Sequence, residues 1–325
     1  MSIENIGVVI IGRNEGERLV LCLESILAAK VPCVYVDSQS KDNSVAEAEK
    51  RGVTTVVLDD SLPINASRAR NTGFDMLVGS NPSLNFVHFI DADCELDESW
   101  LEHAVGKLKS SKEVAIVCGR LREKHRTESI YMRLCDIDWF IKPGEVNRCG
   151  GIFTIRRKVF ENMSGFDASL IAGADPELCF RIHNKGWIIL VLDSEMGTHD
   201  SAMRDFYQWW DRCVKVGFGY ANGASWGGWK KQYLSSLMWG AILPLIIVLG
   251  SLSSSLFFAA LLGLYPFQVL KIYMSKLSIG SDSKYDKFLY ALFCVIAKFP
   301  EAIGGVKFLI RRVKGGQQKI IEYKA

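Results

Sequence analysis

The chain has 325 residues, of which 49% are hydrophobic and 23% charged, so global disorder is excluded and one large domain or two ordinary ones would fit. Its net charge of only +3 argues against a protein dedicated to nucleic-acid binding. The charge is uneven, because residues 271–325 hold 11 Lys and Arg against 4 Asp and Glu, and we expect this basic tail to face an anionic surface, with a membrane as the first candidate.

Residues 1–120 alternate short apolar runs with helical patterns. Nearly continuous apolar strands separated by helices indicate a mostly parallel sheet covered by helices on both faces, which is a Rossmann-like α/β fold. Ligands of such sheets bind beyond the carboxyl ends of the strands. We predict strands at Val8–Ile11, Val34–Val36, Val53–Leu58, Phe86–Ile90 and Val114–Val117, and helices at Gly16–Ala29, Ser44–Arg51, Ser67–Val78 and Ser99–Lys107.

Polar residues follow several of these strands where the strands end. The fourth strand ends in Asp91-Ala92-Asp93, and side chains two residues apart in an extended chain point to the same side. Two carboxylates leaving a buried strand together can share one hard divalent cation. The alternatives are a solvated acidic loop and an Asp93 that caps the next helix. His88 lies within the strand itself, where we expect a core histidine rather than a ligand.

A run of 39 residues from Gln232 to Leu270 contains no Asp, Glu, Lys, Arg or His. As a helix it would be roughly 58 Å long, close to two crossings of a ~30 Å hydrocarbon layer. We predict a membrane hairpin over 230–275, with crossings at 233–251 and 255–273 and a turn at the three serines 253–255. Lysines flank both ends, so the positive-inside rule places both ends in the cytosol. A buried helical hairpin of a soluble protein is the alternative.

The last segment, 276–325, mixes apolar residues with lysines and arginines. We interpret it as one or two amphipathic helices that lie on the membrane face. A third crossing is the alternative, because Leu289–Cys294 is strongly apolar, although Lys298 and Glu301 would be costly inside one.

The cysteines indicate the compartment. There are nine, their spacing is irregular and no C-x-x-C occurs, which fits free thiols in a reducing compartment. The apolar run Val8–Ile11 is too short for the core of a signal peptide. We therefore expect a cytoplasmic (inner) membrane protein whose first domain, residues 1–229, faces the cytosol.

Short motifs follow one another along residues 5–200. They lack G-x-G-x-x-G and Walker A patterns, which removes the main support for dinucleotide and P-loop folds. The motifs are Ile10-Ile11-Gly12-Arg13-Asn14-Glu15, Val36-Asp37-Ser38, Asp42-Asn43-Ser44, Ala69-Arg70-Asn71, Ile90-Asp91-Ala92-Asp93, Cys149-Gly150-Gly151, Gly165-Phe166-Asp167, and Gly173 to Leu178 followed by Arg181. In their order and spacing they resemble family 2 glycosyltransferases with the GT-A fold, and most of all bacterial members that build exopolysaccharide or other envelope glycans.

The resemblance implies a nucleotide-sugar donor site, with a UDP-sugar favoured. Asp37 would accept from a base N–H, while Arg70 would hold the base or the diphosphate unless it is only a surface charge of its helix. A divalent cation, Mn²⁺ or Mg²⁺, would bridge the diphosphate and stabilise its growing charge as a Lewis acid. The implied donor-binding residues are Asn14, Glu15, Asp37, Arg70 and Asp91, and the implied metal ligands are Asp93, Asp91 and His199. For His199 the alternative is a capping or structural histidine.

An inverting transfer needs a carboxylate that deprotonates the acceptor hydroxyl. We expect Asp175 in this role. It lies at the start of a predicted helix, in which Pro176 takes the first position and Glu177–Asn184 follow. The alternative is that Asp175 only caps this helix. The family often has an acidic residue where this chain has Ala174, which leaves Glu177 as the second candidate base.

These residues predict a metal-dependent inverting glycosyltransferase that acts on a membrane-associated acceptor, with a lipid-linked saccharide in polysaccharide biosynthesis as the natural guess. A weakly active or inactive membrane scaffold that binds nucleotide sugar is the alternative. A nucleotidyltransferase is disfavoured because its Gly-rich loop is missing.

Overall fold

The computed structural model describes residues 4–170, 172–224, 228–251, 260–275 and 283–314. Within these ranges the chain divides into two compact units. A sheet unit holds residues up to 125 together with 139–202, and a helical unit holds 126–138 together with the residues from 203 onward. The sequence predicts a single first domain over 1–229, whereas in the structure residues 126–138 and 203–224 belong to the helical unit.

One mixed sheet forms the centre of the sheet unit. Its strand order is β3-β2-β1-β4-β8-β6-β9-β5, and β7 pairs with β9 beside this path. The strands are β1 Ile6–Gly12, β2 Cys33–Asp37, β3 Thr54–Val57, β4 Phe86–Asp91, β5 Cys94–Leu96, β6 Val114–Glu123, β7 Gly144–Val146, β8 Phe153–Arg156 and β9 Ile188–His199. The first four are parallel neighbours, as the sequence predicts, and six of the seven residues of β1 are buried.

The helices of the sheet unit alternate with its strands. The four that the sequence predicts between residues 16 and 107 are present, with ends displaced by at most three residues. The helices are α1 Glu17–Ala28, α2 Ser44–Lys50, α3 Ala66–Ser80, α4 Trp100–Ser110, α6 Arg157–Asn162 and α7 Ala174–Asn184, while α5 belongs to the helical unit.

The second half of the sheet is less parallel than expected. Strand β8 runs antiparallel to both β4 and β6, and β9 pairs antiparallel with β5 and β7 but parallel with β6. The strands β5, β7 and β8 have only three or four residues each, and distant partners define them. A short segment carries too little periodicity to reveal such pairing.

His88 on β4 is a core residue, as predicted. It is fully buried and lies opposite Thr154 of β8, with its Nδ1 2.9 Å from the Thr154 Oγ1. Trp100 donates its Nε1–H to the same nitrogen at 3.4 Å. Burial lowers the pKa of His88 to about 3, because the charged imidazolium would be desolvated.

The helical unit contains two described segments that are long and apolar enough to cross a membrane, Lys230–Gly250 and Lys284–Val313. In their most apolar windows, 11% of the first and 56% of the second is buried. The helices are α5 Ile130–Asp138, α8 Phe206–Gly223, α9 Lys230–Leu237, α10 Leu243–Ser251, α11 Leu264–Tyr273, α12 Lys284–Ile296 and α13 Lys298–Val313, with a π-helical turn, Met238–Ile242, between α9 and α10.

The predicted hairpin is described only in part. Its first crossing, 233–251, coincides with α9 and α10 and the π-helical turn between them. Of its second crossing, 255–273, the helix α11 is described, while residues 252–259, with the three serines of the predicted turn, lie outside the described residues. The segment 276–325 is described at 283–314, where α12 and α13 follow each other almost without a break. Pro300 falls in the first turn of α13, where a missing N–H costs little.

Glycines let α13 contact two other helices of this unit through the backbone. A Cβ at Gly217 of α8 would overlap the backbone of Glu301, and one at Gly304 would lie 2.7 Å from the Phe218 nitrogen and overlap the Val214 carbonyl. A Cβ at Gly240 would likewise overlap the Lys298 carbonyl. Such small-residue contacts are typical of helices that associate within membranes.

Candidate active site

Two loops at the carboxyl edge of the sheet are joined by reciprocal hydrogen bonds. Asn14, in the loop after β1, has a left-handed backbone with φ of 54°. Its N–H donates to the Ser40 Oγ at 2.8 Å, and its Oδ1 accepts from the Lys41 N–H at 2.7 Å in the loop after β2. The strand-end residues that the sequence singled out therefore belong to one connected surface.

Asp37, the last residue of β2, is fully buried beneath this surface. Its Oδ1 accepts from the Tyr35 hydroxyl at 2.8 Å and from the Ser40 Oγ at 2.5 Å, and its Oδ2 accepts from the Ser40 N–H at 2.7 Å. These bonds hold the carboxylate in one orientation. Glu15 is also buried and forms an ion pair with Arg18 at 2.8 Å.

Arg70 joins two of the predicted carboxylates. It lies on α3, its side chain is 5% exposed, and its Nη2 donates to the Asp91 Oδ1 at 2.8 Å while its Nη1 donates to the Asp175 Oδ1 at 3.1 Å. The two carboxylates are 34% and 26% exposed, so both remain accessible to a ligand. A buried guanidinium between two acids is the opposite of a surface charge, and the surface-charge alternative for Arg70 is wrong.

The backbone beside Arg70 leaves room for it. A Cβ at Gly151 would overlap the guanidinium, coming within 2.9 Å of its Cζ, and would lie 3.2 Å from the Asp175 Oδ1. The guanidinium also packs over the Phe166 ring at 5.5 Å from the ring centroid. The motifs around Gly151 and Phe166 therefore share one function, which is to accommodate this arginine.

Asp175 is the second residue of α7, which begins at Ala174 after Gly173 in a left-handed conformation with φ of 83°. The helix starts earlier than predicted, and Asp175 therefore is not its N-cap, so the capping alternative is wrong. Burial raises the pKa of the Asp175 carboxyl, with Arg70 opposing and Asp91 adding to that effect. A raised pKa makes a carboxylate a better proton acceptor.

Glu177 is engaged differently. Its two oxygens accept from Arg181 at 2.7 Å each, one turn along the helix. Arg181 also donates to the carbonyls of Met163 and Gly165. Glu177 and Arg181 thus connect α7 to the preceding loop, and both oxygens of Glu177 are engaged in this contact.

Asp93 and His199 form the second pair at this edge. The His199 Nε2 lies 2.9 Å from the Asp93 Oδ2, and the imidazole stacks on the Trp139 ring with centroids 4.3 Å apart. Cys94 adds a thiol, whose Sγ donates to the Asp93 Oδ1 at 3.5 Å. The donor atoms of Asp93, Cys94 and His199 all lie within 4.8 Å of one another.

These donors suit a divalent cation. A carboxylate oxygen and an imidazole nitrogen that already converge are acceptable ligands for Mn²⁺. Burial and the neighbouring Asp93 raise the pKa of the Cys94 thiol well above its usual value, so Cys94 faces such an ion as a neutral group. The structure fits a cation held by Asp93 and His199, whereas Asp91, which was expected to share it, pairs with Arg70.

Sequence reasoning missed three contributors, Gly151, Trp139 and Cys94. Gly151 could have been suspected from its place in Cys149-Gly150-Gly151, but what it makes room for comes from a helix 81 residues earlier. No hydrophobic pattern around Trp139 indicated that its ring would stack on His199. Cys94 follows Asp93 directly, and only the pairing of β5 with β9 brings it to His199.

Comparisons with known proteins bear on the family and the fold. Residues 7–164 match the protein family described as Glycosyl transferase family 2. The chain is 23% identical over 229 residues to Glycosyltransferase AglE of Haloferax volcanii, covering 66% of this chain and 72% of that protein. Its structure resembles that of the mannosyltransferase PcManGT of Pyrobaculum calidifontis in complex with GDP-Man and Mn²⁺, with a TM-score of 0.62, 16% identity, and coverage of 93% of this chain and 87% of the other.

Proposed function

Because the chain is a glycosyltransferase of family 2 with a GT-A fold, we propose that it transfers a sugar, with inversion, from a nucleotide sugar to a hydroxyl of a membrane-associated acceptor. The observation that carries this proposal is the bridge from Arg70 to Asp91 and Asp175 beside the Asp93–His199 pair. One edge of the sheet then offers a cation for an anionic leaving group, a divalent-cation site and a carboxylate base.

The donor is held by the surface after β1 and β2. Asp37, which is fully buried and bonded to Tyr35 and Ser40, holds the loop after β2 in place beneath the site of the base. Asn14 keeps the two loops together, while Glu15 holds Arg18. Because the loops are already ordered in this surface, ligand binding costs little further conformational entropy.

Arg70 faces the donor diphosphate. A buried guanidinium has two planar N–H edges, which suit phosphate oxygens as well as carboxylates. The charge that grows on the leaving nucleoside diphosphate during transfer is therefore stabilised by a group that is already in place.

Asp93 and His199 would hold a divalent cation, Mn²⁺ or Mg²⁺, and that ion, when bound, supplies Lewis-acid stabilisation of the leaving diphosphate. Asp175 accepts the proton of the attacking hydroxyl. Its partial exposure leaves it open to the acceptor, and its raised pKa makes it basic enough for that task.

A membrane supplies the acceptor in this proposal. Large apolar side chains of the helical unit are exposed, and a surface of this kind is expected where lipid covers it. Basic residues flank the apolar run at Lys230, Lys231 and Lys271, consistent with ends that remain in the cytosol. The exposed apolar residues include Leu245, Val248 and Leu249 of α10, Phe267 and Leu270 of α11, and Ile310 and Val313 of α13. A lipid-linked saccharide is the acceptor class that fits this placement, and polysaccharide biosynthesis is the corresponding process.

The test uses the full chain in lipid nanodiscs with a panel of UDP- and GDP-sugars and a polyprenyl-linked acceptor. We expect release of nucleoside diphosphate and a glycosylated lipid only with Mn²⁺ or Mg²⁺, and loss of both after chelation. The anomeric configuration of the product reports inversion. Binding of nucleotide sugars without turnover across the panel would instead support a scaffold, and unchanged turnover in Asp93→Ala with His199→Ala would remove the cation site.

A further inference from the structure

The thiol of Cys94 is the one donor at the cation site that the proposed reaction does not use. It lies between two groups that the reaction does use, with its Sγ 3.5 Å from the Asp93 Oδ1. Together with His199 these residues offer one oxygen, one sulfur and one nitrogen donor within 4.8 Å of one another. Such a mixed set differs from the all-oxygen surroundings that Mg²⁺ prefers.

The backbone fixes the thiol and the imidazole on the same side. Cys94 of β5 and His199 of β9 lie directly opposite each other in the antiparallel pair. Opposed residues of an antiparallel pair point to the same face, with Cβ atoms about 4.5–5.5 Å apart. The Asp200 N–H donates to the Asp93 carbonyl at 2.9 Å and extends the pairing to the residue before Cys94. Strand pairing therefore holds the thiol and the imidazole together, while the Asp93 carboxylate reaches them from the turn that precedes β5.

Their spacing is close to that of ligands around one zinc ion. Zinc–ligand distances of about 2.0–2.3 Å in a tetrahedral arrangement place ligand atoms roughly 3.4–3.6 Å apart. The Cys94 Sγ lies 3.5 Å from the Asp93 Oδ1, and the His199 Nε2 lies 2.9 Å from the Asp93 Oδ2. Because these are different oxygens of one carboxylate, Asp93 has to turn slightly for a single ion to meet all three donors. The Trp139 ring against His199 limits how the imidazole can turn.

We propose that Asp93, Cys94 and His199 form a binding site for a thiophilic divalent cation, Zn²⁺, which competes with the activating hard cation and inhibits transfer. Zinc binds such donors more tightly than manganese does, and a thiolate ligand widens the difference. As the zinc–sulfur bond forms, Cys94 releases its proton to solvent. Three protein ligands leave tetrahedral zinc one open position, which is too few for the bridging of a diphosphate.

This inference rests on the proposed function only in that both cations share Asp93 and His199. It predicts that zinc affinity depends on Cys94 much more than manganese affinity does. Other thiols provide a matched comparison, because Cys149 and Cys179 are buried with their sulfurs 3.6 Å apart.

The experiment uses the full chain in nanodiscs, stripped of metal, and measures binding of Zn²⁺, Co²⁺ and Mn²⁺ alone. We expect a thiolate-to-Co²⁺ charge-transfer band in the near ultraviolet that zinc displaces. In Cys94→Ser the band should vanish, and the ratio of zinc to manganese affinity should fall by tenfold or more. In Cys149→Ser the band and the ratio should remain.

Two results would overturn the inference. One is a Cys94→Ser variant that keeps the band and the affinity ratio, and the other is a Cys149→Ser variant that loses them. Because no sugar donor is present, the outcome is independent of turnover. A chain that binds zinc as described but transfers no sugar would refute the proposed function, and with it the inhibition of transfer, and would leave the zinc site standing.

Discussion

Arg70 and Asp175 form an ion pair of 3.1 Å although 105 residues separate them in the chain. The same guanidinium holds Asp91 at 2.8 Å, so one buried arginine connects the end of β4 with the start of α7. In the proposed reaction a donor diphosphate would compete for this guanidinium and would remove part of the positive charge that faces Asp175. The proposal therefore couples donor binding to the basicity of Asp175.

Asp175→Asn should remove proton abstraction while preserving shape. We expect transfer to slow by about 10²–10⁴-fold, which is the usual contribution of a general base. Binding of the nucleotide sugar, measured by calorimetry, should change little. Glu177→Gln, two residues along the same helix, is the matched variant. It should keep transfer within about tenfold, because Glu177 is already bound to Arg181. The reverse pattern would make Glu177 the base.

Gly151→Ala should displace Arg70. The added methyl group would overlap the buried guanidinium, and the bridge to Asp91 and Asp175 would have to shift. We expect at least tenfold weaker nucleotide-sugar affinity, since small misplacements at a reacting site can cost up to about 10²-fold. Gly150→Ala is the control, because a Cβ at Gly150 would meet nothing within 4 Å. Equal effects of the two substitutions would contradict this account of Gly151.

The core histidine should make the sheet unit sensitive to acid. The pKa of His88 is lowered to about 3 by burial, whereas an unfolded histidine titrates near 6.5, so the unfolded chain binds the extra proton first. Stability is therefore lost as the pH falls from about 6.5 towards 3, and the loss between pH 7 and pH 5 should be about 2 kcal/mol. Chemical denaturation at both pH values measures it.

The controls for this prediction are two further variants. His88→Gln should reduce the acid-dependent loss, whatever its effect on stability at pH 7. His103→Gln, on the outer part of α4 with its Nδ1 2.8 Å from the Ser194 Oγ, should retain it. An unchanged loss in His88→Gln would assign the acid sensitivity to another group.

Gly304→Val should separate α13 from α8. Even a single Cβ at this position would overlap the Val214 carbonyl, and the helices would have to move apart. We expect a loss of about 1–3 kcal/mol or more in the free energy of unfolding, followed as thermal unfolding in nanodiscs. Gly263→Val is the comparison, since a Cβ there would meet nothing within 4 Å. A variant at Gly304 with native stability would show that the contact is not close in solution.

Local patterns predicted the first half of the sheet well. Strands such as β1 and β4 are long and almost fully buried, so their apolar runs and the polar residues at their ends were visible in the sequence. The placement of Asp37, Asp91 and Asp93 at one edge follows directly from parallel pairing. Their individual roles at the site remain predictions.

The rest of the site depends on contacts between distant residues. Neither motif shows that Asp91 pairs with Arg70 and not with a cation beside Asp93. This pairing needs the space that Gly151, in a loop far along the chain, leaves for the guanidinium. The start of α7 at Ala174 depends on the left-handed Gly173, whereas proline alone suggested a later start. Hydrophobic periodicity indicates which residues of one segment are buried, but it does not reveal which distant residues contact each other.

The mutual hydrogen bonds between Asn14 and residues 40–41 have one more consequence. Neither loop can release its backbone amide without breaking a bond that belongs to the other loop. Local opening of the two should accordingly be a single cooperative event, in which hydrogen exchange of the Asn14 and Lys41 amides reports a common free energy of opening. In the proposed donor site, the loops after β1 and β2 would therefore move as one rigid unit and not independently.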